Sequence, residues 1–219
     1  FYSLDKPGEF ITIVRTQFLS AMATPGGGRN DIPDRLKRHF AVFNCIMPDS
    51  DSIHRIYSTI IEGYFIPERG FNPSVIDTTS KIVRATHEDW LQTKQKMLPT
   101  PTKFHYVFNL RDLSRITQGI IQVMPQKCSS PENVVALWAN ECFRVIPDKF
   151  VSQEDKDWFA GTIVRVGTEV FGTQYEQVLS EAPNVLFCSF MTEIDYSQYE
   201  EVDESKIPRI YEEVSSFEE

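Results

Sequence analysis

The chain has 219 residues, 41% of them hydrophobic and 24% charged, with a formal net charge of −9. That length can bury the core of one or two domains, and no apolar run approaches the ~20 residues that a membrane-spanning helix needs. From Glu193 onward ten acidic residues face only Lys206 and Arg209; such a tail disfavours nucleic acid as the main partner, because phosphate binding needs clustered Lys and Arg.

The opening Phe1-Tyr2-Ser3-Leu4-Asp5-Lys6 lacks both the basic start and the apolar stretch of a secretory signal. Phe10-Ile11-Thr12-Ile13-Val14 is apolar, and Gln17-Phe18-Leu19-Ser20-Ala21-Met22 is short, apolar and free of breakers, the pattern of a strand buried on both faces. Pro25-Gly26-Gly27-Gly28 stops it as a turn. Pro33 suits the first turn of a short helix through Phe40, and Ala41-Val42-Phe43-Asn44-Cys45-Ile46 reads as a second buried strand ended by Pro48. Strand, short helix, strand predicts the last two strands of a parallel sheet.

Beyond residue 50 the period changes from two to 3.6. Ile53, Ile56, Tyr57, Ile60, Ile61 and Tyr64 form one helical stripe. Asn72-Pro73 opens a longer helix carrying Val75, Ile76, Thr79, Ile82, Val83 and Trp90, and Pro99-Thr100-Pro101 ends it. Asn109 is an N-cap with Asp112 at the third helical position; Leu110, Leu113, Ile116, Ile120 and Ile121 supply the buried face, and Pro125 stops the helix. Ser130-Pro131 starts another helix, lined by Val134, Leu137, Trp138 and Cys142. Ser152, followed by Asp155, starts a fifth with Trp158, Phe159, Ile163, Val166 and Val170 inward. Five amphipathic helices predict an all-helical subdomain over about 50–175. From Asn184 the chain turns extended and then acidic, with Lys206 to Glu219 compatible with a further helix. With no initiator Met and an unfinished final element, the chain reads as truncated at both ends.

Cys45, Cys128, Cys142 and Cys188 are far apart, with no C-x-x-C, and read as reduced structural thiols of a cytosolic protein. His39, His54, His87 and His105 form no zinc pattern. Gly26-Gly27-Gly28-Arg29-Asn30 is not a phosphate-cradling loop, since no Gly-Lys pair occurs anywhere in the chain. Arg35 and Arg38, three apart, share one helix face; they are either a solvated basic face or a guanidinium pair offered to a neighbour's phosphate. Arg111 falls in the first turn of its helix, where the macrodipole disfavours a cation by roughly 0.3–1 kcal/mol. Asp112 offsets this locally, or an anion binds beside that helix start; Arg115 lies one turn on, on the same face. Glu88-Asp89 and Glu200-Glu201 read as carboxylates on polar stretches with ordinary acidity.

Gln17 to Met22, Pro25 to Asn30 and Arg35-Leu36-Lys37-Arg38-His39-Phe40 together resemble the third AAA+ module of axonemal dynein heavy chains. His105-Tyr106-Val107-Phe108-Asn109-Leu110-Arg111-Asp112-Leu113-Ser114-Arg115 looks like that module's lid, and Trp138 to Val145 and Asp155 to Trp158 match the helices that follow. The resemblance runs from Leu4-Asp5-Lys6-Pro7 nearly to the end, and Asn30-Asp31-Ile32-Pro33 with Phe43-Asn44-Cys45 looks most like an outer-arm chain. It implies a partial α/β fold: C-terminal strands of an AAA+ parallel sheet followed by a mainly α-helical lid subdomain. The divisions are 1–48, the end of the large α/β subdomain; 49–180, the lid; and 181–219, a linker and the start of the fourth module.

The same resemblance implies roles. Residues 17–22 would be the sensor-1 strand, Arg35 or Arg38 an arginine finger toward the preceding module's nucleotide, and Arg111 the sensor-2 arginine reaching the third module's own nucleotide, with Arg115 beside it. Many AAA+ modules place a polar residue, usually Asn, where this strand ends in Met22-Ala23-Thr24; neither Met22 nor Ala23 can position an attacking water, and Thr24, a nucleotide-binding candidate, does so only if the register slips by one, so regulation by held nucleotide is expected rather than hydrolysis. The phosphate loop and the acidic Mg²⁺-holding motif belong upstream, so the 219 residues alone should be inactive, with ATP/ADP and Mg²⁺ bound only in the complete protein. Implied partners are neighbouring AAA+ modules of the same heavy chain, dynein intermediate and light chains, and microtubules, at a ciliary or flagellar axoneme, with neither nucleic acid nor membrane. On the helical residues alone, a free-standing interaction module or a part of a non-motor AAA+ ring protein remains open.

Overall fold

A computed structural model describes residues 2–23, 30–191 and 209–214. The chain divides into two compact units, Phe1–Phe43 and Asn44–Glu219, each described by itself.

In the first unit the expected parallel strands do not form. Residues 17–22 belong to no strand, and Phe18, Leu19 and Met22 are exposed, as are Val42, Phe43 and Ile46 around the second expected strand. A strand buried on both faces needs ladder partners and covering helices; among the described residues of this unit the only bridge joins Tyr2 to Phe10. The expected helix through Phe40 is shorter, a single turn α1 (Asp34–Lys37). Lys37 pairs with Asp31 at 2.8 Å, and that hydrogen bond lowers the pKa of the exposed carboxyl and raises that of the ammonium.

The second unit is the helical subdomain that the 3.6 period predicts. It comprises α2 (Ser50–Tyr64), α3 (Pro73–Lys96), α4 (Leu110–Ile120), α5 (Pro131–Val145), α6 (Gln153–Phe171) and a short α7 (Glu176–Glu181) that the sequence reading missed. Local chemistry sets the starts. Asp49 Oδ1 accepts from Ser52 N–H at 2.9 Å, Ser130 Oγ from Asn133 N–H at 3.3 Å, and Ser152 Oγ from Asp155 N–H at 3.4 Å. Asn72 occupies the cap position of α3, but its amide donates to the Ser129 carbonyl instead.

α3 is the spine, packing on α2, α5 and α6. Trp90 and Trp138 lie wholly inside, and the Trp138 indole N–H donates to Thr86 Oγ1 at 2.9 Å, so α5 meets α3 with its polar atom satisfied. Trp158 and Val170, expected inward, are half-buried at the edge of α6. Cys128 and Cys142 are buried free thiols, and burial pushes Cys128 up to about 12. Where a helix over 206–219 was expected, the described residues instead hold a strand. Phe187–Cys188 (β1) pairs antiparallel with Glu212–Glu213 (β2). Tyr211 is buried, and its hydroxyl donates to Glu141, a carboxylate with no exposure that Arg144 also holds, at 2.5 Å from Nη2. Lys127 pairs with Glu212. These side chains fasten β2 to α5 and to the turn after α4.

Candidate functional site

α4 begins with the capping box its sequence predicts. Asn109 Oδ1 accepts from Arg111 N–H at 2.9 Å, and Asp112 Oδ2 accepts from Asn109 N–H at 2.9 Å. Leu113, Ile116 and Ile120 anchor the helix in the core, each such burial contributing about 1.5–3 kcal/mol. Tyr57 of α2 donates its hydroxyl to the Leu110 carbonyl at 2.9 Å and meets Ser114 Oγ at 2.8 Å. From the other side Lys149, in the turn after α5, donates to Asp112 Oδ1 at 2.5 Å while its carbonyl meets His105 Nε2 at 2.8 Å. The first turn of α4 is therefore held on two flanks.

Arg111 sits on that turn and is exposed, as is Arg115 one turn later. Both oxygens of Asp112 are engaged elsewhere, one by Asn109 N–H and one by Lys149. The carboxylate that offered a local account of Arg111 is thus spent on the backbone and on Lys149, and among the described residues the Arg111 guanidinium makes no hydrogen bond or ion pair. The positive dipole end and an unengaged guanidinium leave an electropositive point facing solvent, which suits an anion.

Arg35 and Arg38 belong to the first unit, where both are exposed; Arg38 Nε donates to His39 Nε2 at 3.3 Å. Thr24 and the triple glycine lie outside the described residues, as does Glu200-Glu201. Asp89 overturns its sequence reading. It has no exposure, neither carboxyl oxygen has a partner, and burial raises it well above the usual carboxylate range, with Glu88 adding to this and Arg165 opposing it. Lys149 was missed altogether: it lies 37 residues from Asp112, and no local spacing marks it.

Two family models match the chain. Residues 1–48 match a P-loop containing dynein motor region, and residues 82–184 match an AAA+ lid domain, which holds Arg111 and Arg115. Among curated proteins, dynein axonemal heavy chain 8 of Mus musculus is 46% identical over 219 residues, covering 99% of this chain. Dynein axonemal heavy chain 5 of Rattus norvegicus is 44% identical over 218 residues, again 99% of the chain. The chain belongs to the axonemal dynein heavy chain family. It spans 5% of the mouse relative's length and 6% of the rat relative's. A third heavy chain, the dynein gamma chain of the flagellar outer arm from Chlamydomonas reinhardtii, is 38% identical over 208 residues, 88% of this chain and 5% of its own. Within the helical unit residues 82–184 match the AAA+ lid, and α4 is the helix of that stretch that presents an unengaged arginine. Among the described residues no helix is long and apolar enough to cross a membrane.

Proposed function

We propose that this chain is the part of a ciliary dynein motor heavy chain that closes the third AAA+ module and leads into the fourth, with divisions near 1–48, 49–180 and 181–219. In that reading Arg111 is the sensor-2 arginine for nucleotide held by the third module, with Arg115 adjacent, and Arg35 or Arg38 is the finger that stabilises charge on the preceding module's transferring phosphoryl group. The observation that carries it is the exposed Arg111 guanidinium on a rigidly held helix start whose neighbouring carboxylate is already spent. A cation placed against a helix dipole is unfavourable unless an anion compensates it, and the phosphates of ATP or ADP with Mg²⁺ supply that anion in the complete protein.

The module's role is regulatory holding of nucleotide, because Met22-Ala23 offers no side chain to orient an attacking water. Its partners are the neighbouring AAA+ modules of the same heavy chain and, through the parent motor, intermediate and light chains and microtubules at the axoneme. The outer-arm assignment rests on the name of the Chlamydomonas relative and on the wording of residues 30–33 and 43–45.

The test uses the full heavy chain with the other modules' phosphate loops disabled, and follows release of a fluorescent ADP analogue from the third module. Losing one charge-assisted contact of about 1.5–3 kcal/mol predicts that Arg111→Ala weakens retention about 10- to 100-fold. Unchanged ADP affinity would remove Arg111 from the site. With the preceding module intact, substitution of Arg35 or Arg38 should slow ATP turnover there instead.

A further inference from the structure

Arg111 is exposed and its guanidinium has no partner among the described residues, so nothing on its own side chain sets where it points. Its aim is set by the backbone of the turn it stands on. That turn depends on Asp112, whose side chain is 4% exposed and whose two oxygens do different jobs. Oδ2 closes the capping box on Asn109 N–H, and Oδ1 takes Lys149 Nζ at 2.5 Å. Lys149 is itself tied down. Its ammonium lies 5.0 Å from the centre of the Phe108 ring, and its carbonyl meets His105 Nε2, so one residue grips both the approach to α4 and its first turn. Alongside it, Tyr106 donates to Asp155 at 2.8 Å and accepts from Val151 N–H at 2.9 Å. The segment entering α4 is thus stapled to the stretch joining α5 and α6.

We propose that Lys149 and Asp112 form a positioning pair that aims Arg111 at the nucleotide, and that Lys149 makes retention of nucleotide by the third module depend on the turn after α5. The inference rests on the sensor reading of Arg111 given above. Neither residue touches the ligand; both act through the helix start. A misplacement of about 1 Å is enough to cost a contact of this kind much of its value.

The same full heavy chain and ADP-release measurement decide it, using Lys149→Met, Lys149→Arg, Arg111→Ala and the double variant Lys149→Met with Arg111→Ala. Lys149→Met should weaken retention about 3- to 10-fold, a part of what complete loss of the charge-assisted contact costs. Lys149→Arg, which still reaches Asp112 with a cation, should restore it to within about twofold. The double variant should hold ADP no more weakly than Arg111→Ala alone, because a residue that acts through Arg111 has nothing left to aim. Multiplied losses in the double variant, or no loss in Lys149→Met while Arg111→Ala weakens binding, overturn the positioning pair and leave the sensor reading standing. No loss in Arg111→Ala overturns both. If Lys149→Met does not fold, Asp112→Asn takes its place, since the amide oxygen can still close the capping box while the ion pair is lost; the same pattern of outcomes applies.

Discussion

Gly119, near the end of α4, has no room for a methyl group. A Cβ built there would lie 1.8 Å from Glu141 Oε2, 2.1 Å from Glu141 Cδ and 2.8 Å from Oε1. The obstacle is the end of a side chain, but not a free one: Glu141 has no exposure and is held by the Tyr211 hydroxyl and by Arg144, whose Nε lies at 3.0 Å. Gly119→Ala would gain about 1 kcal/mol of helix propensity. Against this, moving the carboxylate costs the Tyr211 bond, about 1.5–3 kcal/mol for a charged acceptor, and crowding costs a further ~1–3 kcal/mol. The net expectation is destabilisation of about 1.5–5 kcal/mol. In urea unfolding of the 219-residue chain, with a slope of roughly 2 kcal/mol/M, the midpoint should fall by about 0.8–2.5 M. Tyr211→Phe should share that cost, so adding Gly119→Ala to it should cost clearly less than Gly119→Ala alone. An alanine variant as stable as the parent would refute the account, because it would mean that Glu141 can leave its site without penalty.

Asp89→Asn should change how stability depends on pH. The folded-state carboxyl is raised by burial, so the folded chain keeps a proton that the unfolded chain releases near the ordinary aspartate value of about 3.9. Stability is therefore full below that value and is lost as pH rises toward the folded value, by at most about 1.4 kcal/mol per pH unit. The asparagine variant should lose this decline and gain on the parent at pH 7 relative to pH 4, measured by urea midpoints; parallel curves would refute it. Tyr211→Phe alone should cost about 1.5–3 kcal/mol by leaving Glu141 short of a donor. It should also speed hydrogen exchange at Val214 N–H, which pairs with the Leu186 carbonyl at 2.8 Å; unchanged protection there would show that the tyrosine does not hold β2.

What was legible in the sequence is what is decided locally. The 3.6 stripe of α2, the Asn109–Asp112 capping box and the Ser130 and Ser152 starts depend on residues within one or two turns of each other, and all appear where the pattern places them. Residues 17–22 failed because a run of apolar residues shows what a strand would bury, while its existence depends on ladder partners that no nearby residue provides. Asp89 failed for a geometric reason. α3 is covered by α2, α5 and α6, so a position that looks polar by periodicity is enclosed all the same. Of the candidate site, Arg111 was legible because a cation at a helix start is locally anomalous. Its support was not: Tyr57 and Lys149 come from 54 and 38 positions away in the numbering. The pairing of Phe187–Cys188 with Glu212–Glu213 was hidden for the same reason, two short segments that only tertiary contact makes into strands.

The cysteines give the lid its own clock. A thiol pushed to about 12 has essentially no thiolate at neutral pH, and Cys128 and Cys142 are enclosed as well, so an alkylating reagent can reach them only while the helices are apart. Cys45 is exposed and reacts without waiting. One chain therefore carries both the reference and the timer: the fast label reports reagent strength, and the slow ones count how often the packed interior opens.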